Sequence, residues 1–316
     1  MRQYILKRIL LMIPTLMGVS LLVFSLVRLL PGDAVMAMLE EVSYVTEEDI
    51  ERMREQLGLN KPFVEQYVHW IGGMLTGDWG ESLHTTEPVL PLLWDSFKVT
   101  AELVALATIF ALMIAIPLGV IAAIRQDTVI DYVARLFAIG GISLPNFWLA
   151  TMVMIFPAIW WGWSPPLGLI VFREDPLGNL GQFIIPAAIL GTAMSANIMR
   201  MTRTMMLEVL RQDYIRTAWS KGLRERVVVM RHAVKNALIP VVSLIGLQLP
   251  ILVGGSVIME SIFNLPGLGR LLLVALEDRD YPVVSGVNLF FATGVVGFNL
   301  LIDLLYSYLD PRVRYE

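Results

Sequence analysis

The chain has 316 residues, which on length alone would allow two ordinary soluble domains. Its composition excludes that reading, because 56% of the residues are hydrophobic and only 16% are charged. In a soluble domain about 45–50% of the residues are apolar and about 25% are charged. The same figures exclude a disordered chain, and the small net charge of −4 argues against a nucleic-acid-binding protein. The absence of cysteine excludes disulfides, thiolate metal sites and cysteine nucleophiles.

Six stretches with almost no charged residues are each long enough to cross a bilayer, which takes about 20 apolar residues in a helix. In chain order they are residues 9–27, 103–124, the first half of 136–172, 177–199, 236–259 and 281–302. The second half of the third stretch is rich in tryptophan and proline, which predicts an interfacial aromatic belt and a turn after a single helix. The first stretch is longer than the apolar region of a cleaved signal peptide, so we expect a true span.

Between the first two spans the sequence predicts a small external segment with two helices. The first covers residues 46–57, where Thr46 precedes three acidic residues, and the second covers residues 62–75, with Pro62 in its first turn. The predicted parts of the chain are an N-terminal tip with the first span (1–30), the external segment (31–98), a five-helix transmembrane core (99–306) with a cytoplasmic loop (201–236), and a cytoplasmic tail (307–316).

The positive charges set the predicted orientation of the spans. Sixteen of the 24 Lys and Arg residues lie on the side of the N-terminus, and nine of these occupy the linker between spans four and five. Because cytoplasmic segments are enriched in Lys and Arg, both termini and this linker are predicted to be cytoplasmic. The predicted fold class is therefore an all-α integral membrane protein with six transmembrane helices.

Motifs for enzymatic chemistry are missing from the sequence. It contains no P-loop, no H-E-x-x-H zinc motif and no G-x-S-x-G nucleophile elbow, and its three histidines are scattered. A transporter, channel or scaffold is therefore favoured over an enzyme. Four ionisable residues near span ends are interpreted as snorkelling side chains or as pairing at helix ends. None is at a predicted midplane, which argues mildly against a proton-coupled carrier. They are Arg28, Glu102, Glu260 and Asp303.

The basic linker contains an amphipathic stretch at residues 213–224. At 100° per residue, one half of the helix collects Tyr214, Ile215, Ala218, Trp219, Gly222 and Leu223, and the other half collects Asp213, Arg216, Thr217, Ser220, Lys221 and Arg224. Three interpretations stay open: a helix on the bilayer surface, a helix in a groove of a partner protein, and charges that only fix the topology. Ala218 and Gly222 lie four residues apart and would leave a shallow notch, which slightly favours docking to a protein.

The sequence at this linker closely resembles the cytoplasmic loop of ABC-importer permeases, most of all the dipeptide/oligopeptide/nickel branch. The matching runs are residues 213–218 (DYIRTA), 221–223 (KGL) and 231–240 (RHAVKNALIP). In the general importer pattern E-A-A-x3-G-x9-I-x-L-P, Ala218 and Gly222 match and Arg216 and Thr217 replace the first two letters. His232, Val234 and Lys235 stand at the I, L and P positions, a departure that is typical of the peptide branch.

Further runs that resemble the family occur in the same order along nearly the whole chain. They are residues 30–33 (LPGD), 57–62 (LGLNKP), 77–82 (GDWGES), 266–270 (PGLGR), 279–282 (RDYP) and 310–312 (DPR). Each run alone is an ordinary turn or loop, and the specificity comes from their order. We therefore expect a permease-like architecture of type I ABC importers.

The resemblance implies a division of labour among several subunits. This chain would form the translocation pathway with a homologous permease, in contact with membrane lipid and in the plasma (inner) membrane of a bacterium or archaeon. Two separate ATPase subunits would bind ATP and Mg²⁺, an external binding protein would deliver di- or oligopeptides, and this chain itself would bind no cofactor and no nucleic acid. Nickel chelates, glutathione or sugars remain alternative substrates, and a secondary carrier working alone remains an alternative function.

The resemblance also assigns roles to particular residues. The linker helix, residues 213–226, would couple the ATPases to the pathway. Its predicted coupling residues are Asp213, Tyr214, Arg216, Thr217, Ala218, Lys221, Gly222 and Leu223. Three polar residues of span five are candidate pathway residues, although helix packing would also account for them: Ser243, Gln248 and Ser256. Close helix packing is the expected role of Gly18, Gly119, Gly254 and Gly255.

Overall fold

The computed structural model describes residues 2–29, 46–56, 60–166 and 168–309, and within these ranges the chain is helical apart from connecting loops and one isolated β-bridge. The helices are α1 (Arg2–Leu29), α2 (Glu47–Gln56), α3 (Phe63–Thr76), α4 (Val89–Ile124), α5 (Val129–Ser143), α6 (Asn146–Trp161), α7 (Pro176–Leu210), α8 (Asp213–Ser220), α9 (Glu225–Val227), α10 (Val234–Ile262), α11 (Leu268–Glu277) and α12 (Tyr281–Leu309), with a π-helix (Val228–Ala233) between α9 and α10. The all-α prediction is confirmed. The motifs at residues 30–33 and 310–312, the first half of the motif at 57–62 and the side chain of Asp303 lie outside the described residues.

Five segments are long and apolar enough to cross a membrane, and they correspond to predicted spans one, two, four, five and six. They are Arg8–Arg28, Val89–Ile124, Pro176–Leu210, Glu225–Ile262 and Tyr281–Ile302. The third predicted span is instead two helices, α5 and α6, that meet at 90° and together make a sixth candidate. The break lies at Pro145, which has no N–H for a helical bond and disfavours helix at the preceding residue, and Leu144 is extended.

The end of α6 also differs from the sequence-based expectation. Trp160 and Trp161 belong to the helix rather than to a turn that follows it. The helix ends at Gly162, whose φ of 63° is the left-handed conformation common at helix C-termini. The aromatic side chains are nevertheless exposed, at 65% for Trp160 and 73% for Trp161, as expected for residues at a membrane interface.

Helix α7 extends eleven residues beyond the predicted fourth span. It has 35 residues, which gives a length of about 52 Å at 1.5 Å per residue, more than the roughly 30 Å of a bilayer core. At its start Pro176 occupies the first turn, and the Asp175 carboxylate accepts a hydrogen bond of 2.9 Å from the Gly178 N–H. Neither glycine nor proline occurs between Gly191 and Leu210 to interrupt it.

The first of two compact units comprises Met1–Val99 and Pro266–Leu300. Here α1 packs on α3 through Phe24, which is fully buried and has its ring centroid 5.2–5.4 Å from the rings of Phe63, Tyr67 and Trp70. Arg28 donates a hydrogen bond of 2.9 Å to Gln66, so the expected helix-end pairing is confirmed for this residue. The two helices predicted between spans one and two are confirmed as α2 and α3 within one residue at each end.

Two of the motifs that carry the family resemblance meet within this first unit. The Ser82 hydroxyl donates a hydrogen bond of 2.5 Å to the Asp280 carboxylate, which also accepts one of 3.1 Å from the Leu83 N–H. His84 and the Asp278 carbonyl are 2.6 Å apart. Asp280 is only 4% exposed. The runs at 77–82 and 279–282 therefore form one hydrogen-bonded junction, which gives their polar residues a structural role.

The second unit comprises Thr100–Leu265 and Leu301–Glu316, and it places helices in close contact through glycines. A Cβ atom at Gly119 would be 2.7 Å from Cβ of Thr202, and one at Gly191 would be 2.5 Å from the carbonyl oxygen of Ala107. The packing role is confirmed for Gly119, and a Cβ at Gly255 would also be in tight contact, 3.1 Å from a leucine methyl carbon. At Gly254, and at Gly18 in the first unit, a Cβ would meet no atom of the described residues within 4 Å, so no described helix packs closely on these two glycines.

Candidate coupling and pathway sites

Helix α8 is the structural counterpart of the predicted coupling helix, and it is shorter than expected. It ends at Ser220, so Lys221 and Gly222 form a turn and Leu223 lies in the loop after it, rather than being the last residues of the helix. Gly222 is the physical reason for the ending: its φ is 75°, and its N–H bonds to the Trp219 carbonyl at 2.9 Å. Side chains other than glycine rarely adopt this conformation.

Two residues of α8 fix the helix to its own chain. Ile215 is fully buried and Ala218 is 7% exposed. They pack in a cluster with Val120, Ala123, Met206, Val228, Val229, Ala233 and Ala237. Residues three apart lie on the same helix face, which is why this pair points inward together. The open notch expected at Ala218 and Gly222 is therefore wrong for Ala218, whose side chain is covered by the π-helix and its neighbours.

The remainder of the predicted apolar face points outward. Tyr214 is 43% exposed, Trp219 44% and Leu223 38%. The Tyr214 hydroxyl accepts a hydrogen bond of 2.9 Å from the Asn236 amide, which also donates 3.0 Å to the His232 carbonyl. Because Asn236 lies in the first turn of α10, this bond connects α8 directly to the start of the fifth predicted span.

Basic residues surround these exposed aromatic side chains. Those exposed in this segment are Arg211, Arg216, Lys221, Arg224, Arg226, Arg231 and Lys235. Arg216 and Asp213 are 3.4 Å apart but 74% and 96% exposed, and such surface pairs contribute about 0–1 kcal/mol. The segment thus has a small apolar face toward its own chain and an aromatic, cationic face toward the outside.

The π-helix Val228–Ala233 contains one of the three residues that stand at the I, L and P positions of the importer pattern. His232 lies within it, whereas Val234 and Lys235 are the first two residues of α10. Single π-turns inside longer helices frequently occur at functional sites. Val228, Val229 and Ala233 of this turn are buried against α8 and its neighbours.

An ion pair between α5 and α7 is a buried feature that the sequence analysis missed. The Asp131 carboxylate is fully buried and accepts two hydrogen bonds from Arg203, of 2.6 and 2.7 Å. It also accepts a hydrogen bond of 3.0 Å from the Asp127 N–H, and a guanidinium nitrogen of Arg135 lies 3.3 Å from the same carboxylate. The third span was predicted to start near residue 136, which left Asp131 in a solvated linker. Asp131 and Arg135 are four residues apart, the separation at which opposite charges pair on one face of a helix. This separation was the indication in the sequence that the helix begins earlier.

Two of the three candidate pathway residues have their hydrogen bonds satisfied by their own helix. Ser243 donates to the Ile239 carbonyl at 3.4 Å. Ser256 is fully buried and donates to the Val253 carbonyl at 2.8 Å, and its oxygen lies 3.0 Å from the Glu260 carboxylate. The carboxylate also accepts 2.8 Å from Thr100. Glu260 is thus a fully buried, hydrogen-bonded residue near the end of α10, so snorkelling is wrong for it and helix-end pairing is confirmed.

Gln248 differs from the two serines because it lines a cavity of about 500 Å³ between α7 and α10. The cavity lining consists of Asn197, Arg200, Met201, Thr204, Leu244, Leu247, Gln248 and Ile251. Gln248 is 9% exposed, and its amide nitrogen has no hydrogen-bond acceptor in the part of the chain that the structure describes. No group of three or more His, Asp or Glu residues among the described positions could hold a metal ion.

Comparisons with known proteins cover the whole chain. Residues 115–315 match the family of binding-protein-dependent transport system inner membrane components, and residues 1–116 match the N-terminal family of the same membrane components. The chain is 42% identical to the dipeptide transport system permease protein DppB of Escherichia coli K12 and 40% identical to that of Alkalihalophilus pseudofirmus. It is also 42% identical to a putative peptide transport system permease of Brucella abortus. Each alignment covers 100% of both chains.

Solved structures with the same fold are membrane transporters. An amino acid ABC transporter crystallised with histidines aligns with a TM-score of 0.53 at 15% identity, over 69% of this chain and 94% of that one. An inward-facing MetNI methionine ABC transporter aligns with a TM-score of 0.56 at 19% identity, over 72% of this chain and 100% of that one. At these identities the likeness concerns the fold, and it agrees with the type I permease architecture expected from the sequence.

Proposed function

Because the chain belongs to the family of binding-protein-dependent transport system inner membrane components, we propose that it is the permease subunit of an ATP-driven importer of di- and oligopeptides. The observation that carries the peptide assignment is the full-length identity to dipeptide permeases. The apolar helices and the family both indicate a multi-pass protein of the bacterial inner membrane.

The proposal divides the work among several chains. This chain contributes half of the translocation pathway and a homologous permease contributes the other half. Two separate ATPase subunits bind ATP and Mg²⁺, in agreement with the absence of a P-loop in this sequence. An external binding protein delivers the peptide. Both termini and the α8 segment are cytoplasmic, on the strength of the sixteen Lys and Arg residues on that side.

In this proposal the α8 segment receives the movement of the ATPases. Tyr214, Arg216, Lys221 and their exposed neighbours Asp213, Thr217 and Leu223 face the partner, whereas Ala218 seats the helix and Gly222 forms the turn that ends it. The burial of Ile215 and Ala218 against α7 and the π-helix supports this division of roles. The Tyr214–Asn236 bond supports transfer to α10. Displacement of α8 would thus move α7 and α10 together, as alternating access by rigid-body motion requires.

The test is uptake by the assembled importer. This chain is co-expressed with its homologous permease, the two ATPases and the binding protein, and the purified complex is placed in proteoliposomes. Dialanine uptake that needs ATP and the binding protein is expected, with no uptake of nickel chelates, glutathione or maltose. Gradient-driven flux through this chain alone would identify a secondary carrier instead, and import of another substrate class without peptides would overturn the peptide assignment.

A further inference from the structure

The cavity between α7 and α10 has the size and lining of a small-molecule site. Its volume of about 500 Å³ lies within the roughly 300–1,000 Å³ of typical ligand pockets. Asn197, Arg200 and Thr204 come from one face of α7, since they are three and four residues apart. Gln248 comes from the facing helix, in the middle of α10. Polar groups from two different helices therefore converge on one space.

Gln248 indicates that this space is built for a ligand. Buried amide groups are almost always hydrogen-bonded, because an unpaired one loses its hydration without compensation. The Gln248 side chain is 9% exposed, and its amide nitrogen has no acceptor among the described residues. A donor held in this state beside a cavity would be satisfied if the side chain turned toward a molecule that enters with an acceptor oxygen.

The charge of the lining indicates the sign of that molecule. Arg200 is the one ionisable residue among the eight, and none of the eight is acidic. Thr204 uses its hydroxyl donor on a helix carbonyl at 3.0 Å, and Asn197 uses one of its two amide N–H groups on another at 3.3 Å. The donors that remain are the Arg200 guanidinium, the Gln248 amide and the second N–H of Asn197, and a guanidinium pairs best with a carboxylate, by two parallel hydrogen bonds.

The other half of the lining is apolar and adaptable. Met201, Leu244, Leu247 and Ile251 provide it, and a flexible Met side chain can adjust to surfaces of different shape. Leu247 is 66% exposed and Ile251 71%, so this side of the cavity is open. Such a surface accepts aliphatic side chains of varying size without selecting one of them.

We propose that this cavity binds the imported peptide on its way to the cytoplasm, with the C-terminal carboxylate on Arg200 and Gln248 and the side chains against the apolar half. The inference rests on the proposed function, and it adds that the permease itself recognises a free carboxylate. Arg200 follows the predicted end of span four, so the site lies toward the cytoplasmic half of the pathway. The eight coupling residues proposed above take no part in it.

The experiment compares dialanine with dialaninamide, which lacks the carboxylate, in the reconstituted complex. Uptake of both peptides is measured for the wild type and for Arg200→Gln, at concentrations that saturate the binding protein. For each permease the rate of dialanine uptake is divided by the rate of dialaninamide uptake, and the two quotients are compared. Any preference of the binding protein for one peptide is the same for both permeases and cancels in this comparison. Arg125→Gln is the matched control, because it removes the same charge from an exposed residue just beyond the end of α4, outside both the cavity and the α8 segment.

We expect Arg200→Gln to lower dialanine uptake at least tenfold and dialaninamide uptake less than twofold. The rate of ATP hydrolysis that the binding protein stimulates should stay unchanged. If the wild type takes up no detectable amide, the expected result is a tenfold loss of dialanine imported per ATP hydrolysed. Gln248→Leu should lower dialanine uptake in the same direction. Unchanged dialanine uptake, an equal loss for both peptides, or the same loss in Arg125→Gln would overturn the inference. A wild-type complex that imports neither peptide would instead refute the proposed function.

Discussion

The buried Asp131–Arg203 pair gives the sharpest prediction for stability. Asp131→Asn keeps the shape of the side chain and removes its charge, which leaves the Arg203 guanidinium with one weak acceptor in place of a bidentate carboxylate. Removal of one partner from a buried pair costs about 3–5 kcal/mol. The Arg203 side chain is 17% exposed, so part of its charge is hydrated, and we expect the lower end, about 3 kcal/mol.

The matched control is the exposed pair of Asp95 and Lys98. Its charged atoms are 2.7 Å apart, about as close as in the buried pair, but the two side chains are 76% and 61% exposed. Asp95→Asn should therefore change the free energy of unfolding by about 0.5 kcal/mol or less. Reversible unfolding of the purified chain in mixed detergent, followed by tryptophan fluorescence, measures both variants.

A double substitution separates the missing charge from the changed shape. Asp131→Leu with Arg203→Met replaces the pair by apolar groups, and such replacements are often neutral or stabilising. It should therefore recover most of the loss measured for Asp131→Asn. A loss below 1 kcal/mol in Asp131→Asn, equal to that of the exposed control, would refute the argument that burial makes this pair strong.

Three further predictions follow from close contacts and backbone geometry. Gly191→Ala places a Cβ 2.5 Å from a carbonyl oxygen of α4 and should lower the free energy of unfolding by about 1–3 kcal/mol. Gly181→Ala is the control on the same helix, because its Cβ meets nothing within 4 Å, and it should raise the free energy of unfolding by about 0.5–1 kcal/mol. Equal effects of the two variants in the same unfolding assay would contradict the packing argument. Gly222→Val must adopt a left-handed backbone at a cost of about 1–2 kcal/mol and should reduce dialanine uptake per ATP hydrolysed, whereas Gly222→Asn should retain most of it. Ser82→Ala removes a donor to the buried Asp280 carboxylate and should destabilise the chain by about 1.5–3 kcal/mol, seen as a lower midpoint of thermal unfolding; an unchanged midpoint would show that the hydroxyl is dispensable.

The sequence predicted those parts of the fold that depend on local composition. Long apolar stretches predicted five of the spans, and the acid-rich start after Thr46 and the proline at residue 62 predicted both external helices. The bend at Pro145 was missed, because a run of 37 residues without charge does not show where the chain changes direction. A proline alone does not mark a bend either, since other helices of this chain contain one, such as Pro250 in α10.

The site was less predictable, because its properties come from contacts between distant residues. A helical wheel places Ala218 and Trp219 on the same face, but only the tertiary packing decides that Ala218 is buried and Trp219 exposed. The same holds for Gln248 and Ser256, which are both polar residues of one helix. Ser256 finds partners within α10, whereas the amide nitrogen of Gln248, a residue that lines the cavity, is buried without an acceptor among the described residues.

Helix α7 joins the two proposed sites mechanically. Arg200 lines the cavity, Arg203 holds the buried Asp131, and Met206 is part of the cluster that seats α8. These three residues span six positions, or about 9 Å along the axis, on a helix without glycine or proline after Gly191. An uninterrupted helix segment of this length moves as a rigid body, so a displacement of α8 reaches the cavity without a hinge between them. Asp131→Asn, which weakens the bond between Asp131 and Arg203 of this segment, should therefore reduce the amount of peptide taken up per ATP hydrolysed. The reduction should be seen even under conditions where the chain remains folded, which connects the stability prediction to transport.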